Sequence, residues 1–336
     1  MKTNKVKKKI KINAYMVIVG AILILYTLSI FFSLAFGVLN SLKHFADTNL
    51  FGLPEMSYWN AFKDRLASLN PDNPADVAFY EMFAGYDNIF ANYVTVIKKM
   101  TINDPKTYFI GFDLNNPVTK DTNGSLLGII SNTILYACGT AFFSAFAPCV
   151  AGYLCSKFNY KFSGFIYAFV LTVMAMPIVG NATAVLTLMQ RLSMYNTIWG
   201  MWIKSFSFLN SYFLIYFAFF KGVSNTYAEA AQIDGASYFK IMWKIYIPLA
   251  SKIVSTVFLL QFVALYNDYN SSLIYMPSYP TLTYAILRLS NSDTGTFGWM
   301  PTRMAMSIFL CLPILTIFIV FKNKLMGNIS LGGVKE

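Results

Sequence analysis

Residues 126–155 contain no charged side chain. As a helix, that run exceeds the roughly 20 residues needed to cross the hydrocarbon core of a bilayer. The pattern recurs along the chain. Residues 14–40 and 162–190 are charge-free, residues 197–220 are interrupted only by Lys204, and residues 304–321 end at Lys322 and Lys324. A sixth run, residues 253–267, would extend only about 22 Å at the helical rise. Continuing it through Asp268 to about Met276 completes a crossing. The expectation is an all-α membrane protein with six transmembrane helices.

Composition agrees. Hydrophobic residues make up 56% of the 336-residue chain and charged residues only 12%, about half the share that keeps soluble domains in water. A net charge of +11 raises the question of nucleic acid, but the lysines stand at the ends of apolar runs instead of on one folded surface. Lys2, Lys5, Lys7, Lys8, Lys9 and Lys11 precede the first run. Lys157, Lys161, Lys221, Lys240, Lys244, Lys252, Lys322, Lys324 and Lys335 then fall on the same side of a six-span path. Positive loops stay in the cytoplasm, which puts both termini there and makes the chain a multi-pass protein of the cell membrane, with lipid and not nucleic acid around it. A cleaved leader does not fit, because the first apolar run is about twice a signal-peptide core.

The divisions that follow are a basic N-terminus (1–13), a first span (14–40), an extracytoplasmic segment (41–124), a core of five spans (125–324) and a cytoplasmic tail (325–336). The segment after the first span is polar, with Pro54, Pro71, Pro74 and Pro105 among acids such as Asp47, Glu55, Asp64 and Asp76. Its length implies short helices of its own. Cys138, Cys149, Cys155 and Cys311 lie in or beside apolar runs and read as small buried hydrophobes. His44, the only histidine, reads as an interfacial side chain. No metal site or cofactor is expected.

Between the fourth and fifth spans, residues 221–252 read as helix, turn, helix. The Ala-rich stretch 227–233 favours a helix, and Gly235 supplies the positive φ that stops it. A second helix carries Phe239, Ile241, Met242, Trp243, Ile245 and Tyr246 up to Pro248. Glu229, Ala230 and Ala231, then Asp234, Gly235 and Ala236, then Pro248 and Leu249 resemble the EAA loop of binding-protein-dependent ABC importer permeases. Asn92-Tyr93, Asn132, Tyr266-Asn267-Asp268 and the Gly332-Gly333-Val334-Lys335 ending are similar to the maltose/multiple-sugar type, specifically its six-span partner, from about Asn92 onward. The pattern departs at Val223-Ser224, where Ile-Pro is usual, at Tyr266, where Trp is usual, and at Lys252, where Pro is common.

The resemblance implies the type I ABC importer permease fold and a set of partners: a second permease subunit in a heterodimer, a dimer of ATPase subunits and an extracytoplasmic solute-binding protein. The EAA loop is expected to form a coupling helix in a cleft of the ATPase and to swing the bundle between inward- and outward-open states. A sugar or oligosaccharide is the expected cargo, with a peptide or amino acid as the alternative. Tyr266, Asn267 and Asp268 are candidates for the translocation path. The loop from Pro277 to Pro301, with Asp293, Gly295 and Gly298, is the expected docking element for the binding protein, and the segment from His44 to Asn123 is the second candidate. The sequence contains no G-x-x-x-x-G-K-[ST] phosphate loop, so ATP hydrolysis falls to a separate chain and this one is not itself an enzyme. An ion-coupled carrier would show inverted repeats and several intramembrane carboxylates, and only Asp268 answers to that. A membrane-embedded enzyme would need clustered catalytic groups inside the spans, and the sequence offers none.

Overall fold

The computed structural model of the chain describes residues 14–83, 86–99, 126–158, 160–176, 180–291 and 298–326, and every regular element among them is helical. The basic leader, Gly332 to Lys335 of the tail, and Asp293 and Gly295 of the expected docking loop lie outside the described residues. Two compact units divide the chain: Met1–Val96 with Asp293–Phe309, and Ile97–Ser292 with Leu310–Glu336.

The first unit begins with α1 (Ala14–Ser41), an apolar helix with none of its best membrane window buried against protein. Such a helix is apolar all round because lipid or another subunit surrounds it. Three short helices follow: α2 (Met56–Ala67), α3 (Pro74–Phe83) and α4 (Ala91–Lys99). Proline suits the first turn of α3, where an N–H would have no partner. Trp59, Phe62, Phe83, Tyr86 and Ala91 form the core of this unit, with Phe45, Phe79 and Trp299 packed against it. Trp299 stacks on Phe45 at 4.0 Å between ring centroids.

Asn92 fastens the same unit. Its amide donates to the carbonyls of Ser41 and Lys43, both at 2.8 Å, and its carbonyl oxygen accepts from Tyr86 Oη at 2.9 Å and Thr302 Oγ1 at 3.1 Å. The side-chain amide thus uses both N–H groups and both lone pairs. Tyr93 adds a hydrogen bond of 2.6 Å between its hydroxyl and that of Ser41.

His44 is not interfacial. It is buried, with its ring 4.9 Å from Trp59 and 5.0 Å from Phe62, and its Nδ1 accepts from the Ala46 N–H at 3.2 Å. Burial pushes its pKa down to about 4, against a smaller opposing pull from Asp47. Between pH 6.5 and about 4 the unfolded chain therefore takes up a proton that the folded one refuses. Stability is intact above that window and is lost as pH falls through it, by about 2–3 kcal/mol at most. Thermal melts of the purified complex at pH 7.5 and 5.0 check this: H44F should remove part of the acid sensitivity, and an unchanged difference between the two pH values would refute the assignment.

The second unit is organised on α5 (Leu126–Lys157), a 32-residue helix that packs chiefly against α8 (Ile198–Lys204), α9 (Ser211–Gly222) and α12 (Ile247–Tyr266). Ala137, Ala141, Ala145 and Cys149 recur every fourth residue and are all buried; small residues at that spacing let apolar helices approach closely. At Gly152 a Cβ would stand 2.9 Å from Tyr216 Cβ, so the crossing of α5 and α9 has no room for one.

Four continuous helical stretches are long and apolar enough to cross a bilayer: Tyr15–Ser41, Leu126–Lys157, Tyr238–Tyr266 and Met300–Phe321. The last lies within α15 (Met300–Met326). The other two expected runs are broken. Residues 162–190 form α6 (Lys161–Ala175) and α7 (Asn181–Arg191); Met176, which precedes Pro177, is extended because a residue before proline avoids the helical region. Residues 197–220 form α8 and α9. Between them Ser207 Oγ accepts from the Leu209 N–H at 3.2 Å, and Asn210 Oδ1 caps α9 through the Tyr212 N–H at 3.1 Å. Short polar side chains offer the backbone these alternatives to helix, and Lys204 is the last residue of α8.

The fifth run is corrected at both ends. Its helix already begins at Tyr238, as α11 (Tyr238–Ile241), and passes through a π-helical turn at Met242–Tyr246 into α12. Pro248 has no N–H to donate, and the wide turn ahead of it, where the Ile247 N–H reaches Met242 O, carries the helix past the missing donor. The helix then stops at Tyr266, so no extension through Asp268 is needed. Two short helices follow, α13 (Asn270–Tyr275) and α14 (Leu282–Ser290).

Candidate functional site

The predicted loop folds as a compact helical hairpin. Val223 ends α9 in an extended conformation, and α10 (Thr226–Ile233) follows with no residue fully buried. Gly235 has φ of +75°. Its N–H bonds to Gln232 O at 2.9 Å, and the Ala236 N–H bonds to Ala231 O at 2.9 Å. This nested pair is the Schellman arrangement, which satisfies the last carbonyls of a helix and reverses the chain. Ser237 then caps α11, its hydroxyl accepting from the Lys240 N–H at 3.4 Å.

The two faces of the hairpin differ. Ala228, Ala231 and Ala236 pack inward on a cluster of Tyr153, Tyr216, Phe220, Ile241 and Tyr246. Glu229, Ala230, Asp234, Pro248 and Leu249 are exposed. Ile233 is 87% exposed, with Tyr227, Tyr238 and Phe239 also outward. Exposed apolar side chains are thus gathered at one helical tip, as at surfaces that meet another protein or lipid.

The other predicted group lies at the far end of α12, about 30 Å along the helix from Pro248. Tyr266 is buried; its hydroxyl donates to Leu310 O at 3.3 Å and its carbonyl accepts from Thr283 Oγ1 at 2.5 Å. Asn267 turns its amide back onto Val263 O at 2.9 Å. Asp268 Oδ1 accepts from the N–H groups of Asn270 (2.9 Å) and Ser271 (3.2 Å), while Oδ2 accepts from Tyr136 Oη at 3.0 Å. Asp268 thus caps α13 and fastens it to α5. The Leu282 N–H adds a second tie to α5 by donating to Thr133 Oγ1 at 2.8 Å. Lys204 stacks its ammonium on Tyr275, 3.9 Å from the ring centroid.

Sequence reasoning missed two groups of residues around these sites. Lys157 reads as a topological charge, yet it bonds to the hairpin entrance at Val223 O and Asn225 Oδ1. Tyr136 and Thr133 read as ordinary members of an apolar run. Only polar groups recurring on one face of that run, Thr133, Tyr136 and Thr140, could have flagged them.

The chain thus carries an exposed helical hairpin with an apolar tip at one end of α12 and a capped bend at the other. Residues 149–325 match the family described as binding-protein-dependent transport system inner membrane component. The chain belongs to this family, the membrane permeases of ABC importers. It is 22% identical over 252 residues to the trehalose/maltose transport system permease protein MalG of Thermococcus litoralis, covering 74% of this chain and 82% of that one. To the probable starch degradation products transport system permease protein AmyC of Thermoanaerobacterium thermosulfurigenes it is 24% identical over 239 residues, 70% of this chain and 84% of that one. A solved bacterial ABC transporter involved in the import of the acidic polysaccharide alginate shares the fold, with a TM-score of 0.51 at 20% identity over 75% of this chain and 98% of that one.

Proposed function

We propose that this chain is a six-span permease subunit that passes a sugar or oligosaccharide, delivered by a solute-binding protein, into the cytoplasm by alternating access. The observation that carries the reading is the Schellman-closed hairpin with its exposed tip: a short stiff helix of small residues, rigidly turned, suits insertion into a cleft of an ATPase. Glu229, Ala230, Ala231, Asp234, Gly235, Ala236, Pro248 and Leu249 form that coupling element. ATP hydrolysis belongs to a separate ATPase dimer, and a second permease subunit completes the pathway. The sugar assignment rests on relatives named for trehalose, maltose and starch degradation products.

In this reading α6–α7 and α8–α9 each cross the membrane as broken helices, which transporters tolerate where neighbouring helices satisfy the freed backbone groups. Both termini and the hairpin lie in the cytoplasm, and α2–α4 lie outside. Asp268, Asn267 and Tyr266 then border the outer end of the path, where the cap on α13 sets the shape of the opening.

The test is a reconstituted complex screened with sugars, amino acids and peptides for binding-protein-dependent ATPase stimulation. A sugar alone should stimulate; stimulation by a peptide or amino acid alone would remove the sugar assignment. In intact cells an impermeant thiol reagent should label S57C and spare S224C, and the reverse pattern would invert the topology.

A further inference from the structure

We infer that Lys157 is a positioning residue of the coupling apparatus, its ammonium tying the entrance of the coupling hairpin to the end of α5. The inference rests on the reading of the hairpin as the ATPase-coupled element. Lys157 is the last residue of α5. Its Nζ donates to Val223 O, the residue that closes α9, and to Asn225 Oδ1 at 2.9 Å, across 66 and 68 residues of sequence. The same ammonium stands 5.2 Å from the centroid of the Tyr246 ring, in the π-helical turn of the second hairpin helix. One charge thus meets both arms of the hairpin.

The start of α10 leaves Asn225 free for this role. Asn225 has helical backbone and makes no side-chain cap bond, while Ser224 Oγ accepts from the Thr226 N–H at 3.2 Å. The Asn225 oxygen is thus available to Lys157. Tyr246 is buried beneath the hairpin, beside Tyr153 of α5 at 5.0 Å between centroids. Any displacement of the α10 entrance therefore pulls on the end of α5 through a charge-assisted bond, and α5 runs about 32–36 Å from Lys157 to Tyr136 and Thr133, which hold Asp268 and Leu282.

The experiment uses the full reconstituted complex and compares basal with binding-protein-stimulated ATPase rates for K157M, K157R, N225A and G235V. K157M should keep the basal rate and lose about tenfold in stimulated-to-basal ratio, within the range by which residues along a coupling route act. N225A should lose part of that ratio, the double variant should be no worse than K157M alone, and K157R should recover most of it. Should K157M fail to assemble, N225A decides, because it leaves α5 and its terminal charge intact. Wild-type coupling in either N225A or K157M, or a double variant that falls below K157M by the full N225A loss, overturns the inference. If G235V uncouples while both Lys157 and Asn225 variants remain coupled, only the tether is wrong; if G235V stays coupled, the hairpin reading itself falls.

Discussion

Replacing Gly235 with valine leaves an importer whose ATPase no longer responds to its loaded binding protein. The expectation follows from backbone geometry and not from crowding. A Cβ added at Gly235 meets no atom within 4 Å, but φ is +75° there. A side chain branched at Cβ pays about 1–2 kcal/mol or more to occupy that region. Relaxing the strain requires φ to change sign, which breaks the nested bonds of Gly235 and Ala236 to Gln232 and Ala231. The angle between α10 and the second hairpin helix then ceases to be fixed, and the element cannot act as a lever. The effect should be graded, because asparagine tolerates left-handed backbone better than alanine and alanine better than valine. Stimulated-to-basal ATPase ratios should therefore fall in the order wild type, G235N, G235A, G235V, with the complex still assembled. Equal ratios across the series would show that turn geometry does not matter for coupling.

This site was legible in the sequence because its determinants are local. A glycine after an alanine-rich turn, a serine three residues before Lys240 and a proline at the next helix are each read from neighbours along the chain. The apolar runs were legible for the same reason, since lipid selects on hydropathy over about 20 residues. The helix breaks were not. Hydropathy does not distinguish residues 197–220 as one helix from α8 and α9 joined by a capped turn, because Ser205, Ser207 and Asn210 are uncharged and cost little in the average. Nor were the partners of Asp268: its carboxylate accepts from the first turn of α13 and from Tyr136, 132 residues away. Lys157 carries the same lesson: its charge was read as topology, and only the folded chain brings Asn225 to it.

The second large effect belongs to Asn92, whose place in the family resemblance is given a physical reason by the four bonds it makes. Substituting leucine removes two donors and one twice-used acceptor from a site with 0% exposure. The carbonyls of Ser41 and Lys43 lose those bonds, and the hydroxyls of Tyr86 and Thr302 lose an acceptor. Leaving a buried polar group unsatisfied costs about 1–3 kcal/mol. Because these four groups share one partner, their losses do not simply add, and a total of roughly 3–5 kcal/mol is expected. For a unit of about a hundred residues that corresponds to a fall of at least about 10 °C in unfolding midpoint, measurable by thermal melts of the detergent-solubilised complex. N92D should fare no better, since it keeps the acceptor oxygen but loses both N–H groups and faces two carbonyls with a carboxylate. The first unit is where the damage should appear: α1 would lose its fastening to α4 and to Thr302 in the first turn of α15, so limited proteolysis should cut near residues 44–55 sooner than in the wild type. The coupling ratio of whatever complex survives should stay near the wild-type value, because Asn92 touches neither the hairpin nor α5. A variant that melts within 2–3 °C of wild type would mean that water or a rearranged side chain replaces those four bonds, and that Asn92 does not hold the C-terminal end of α1.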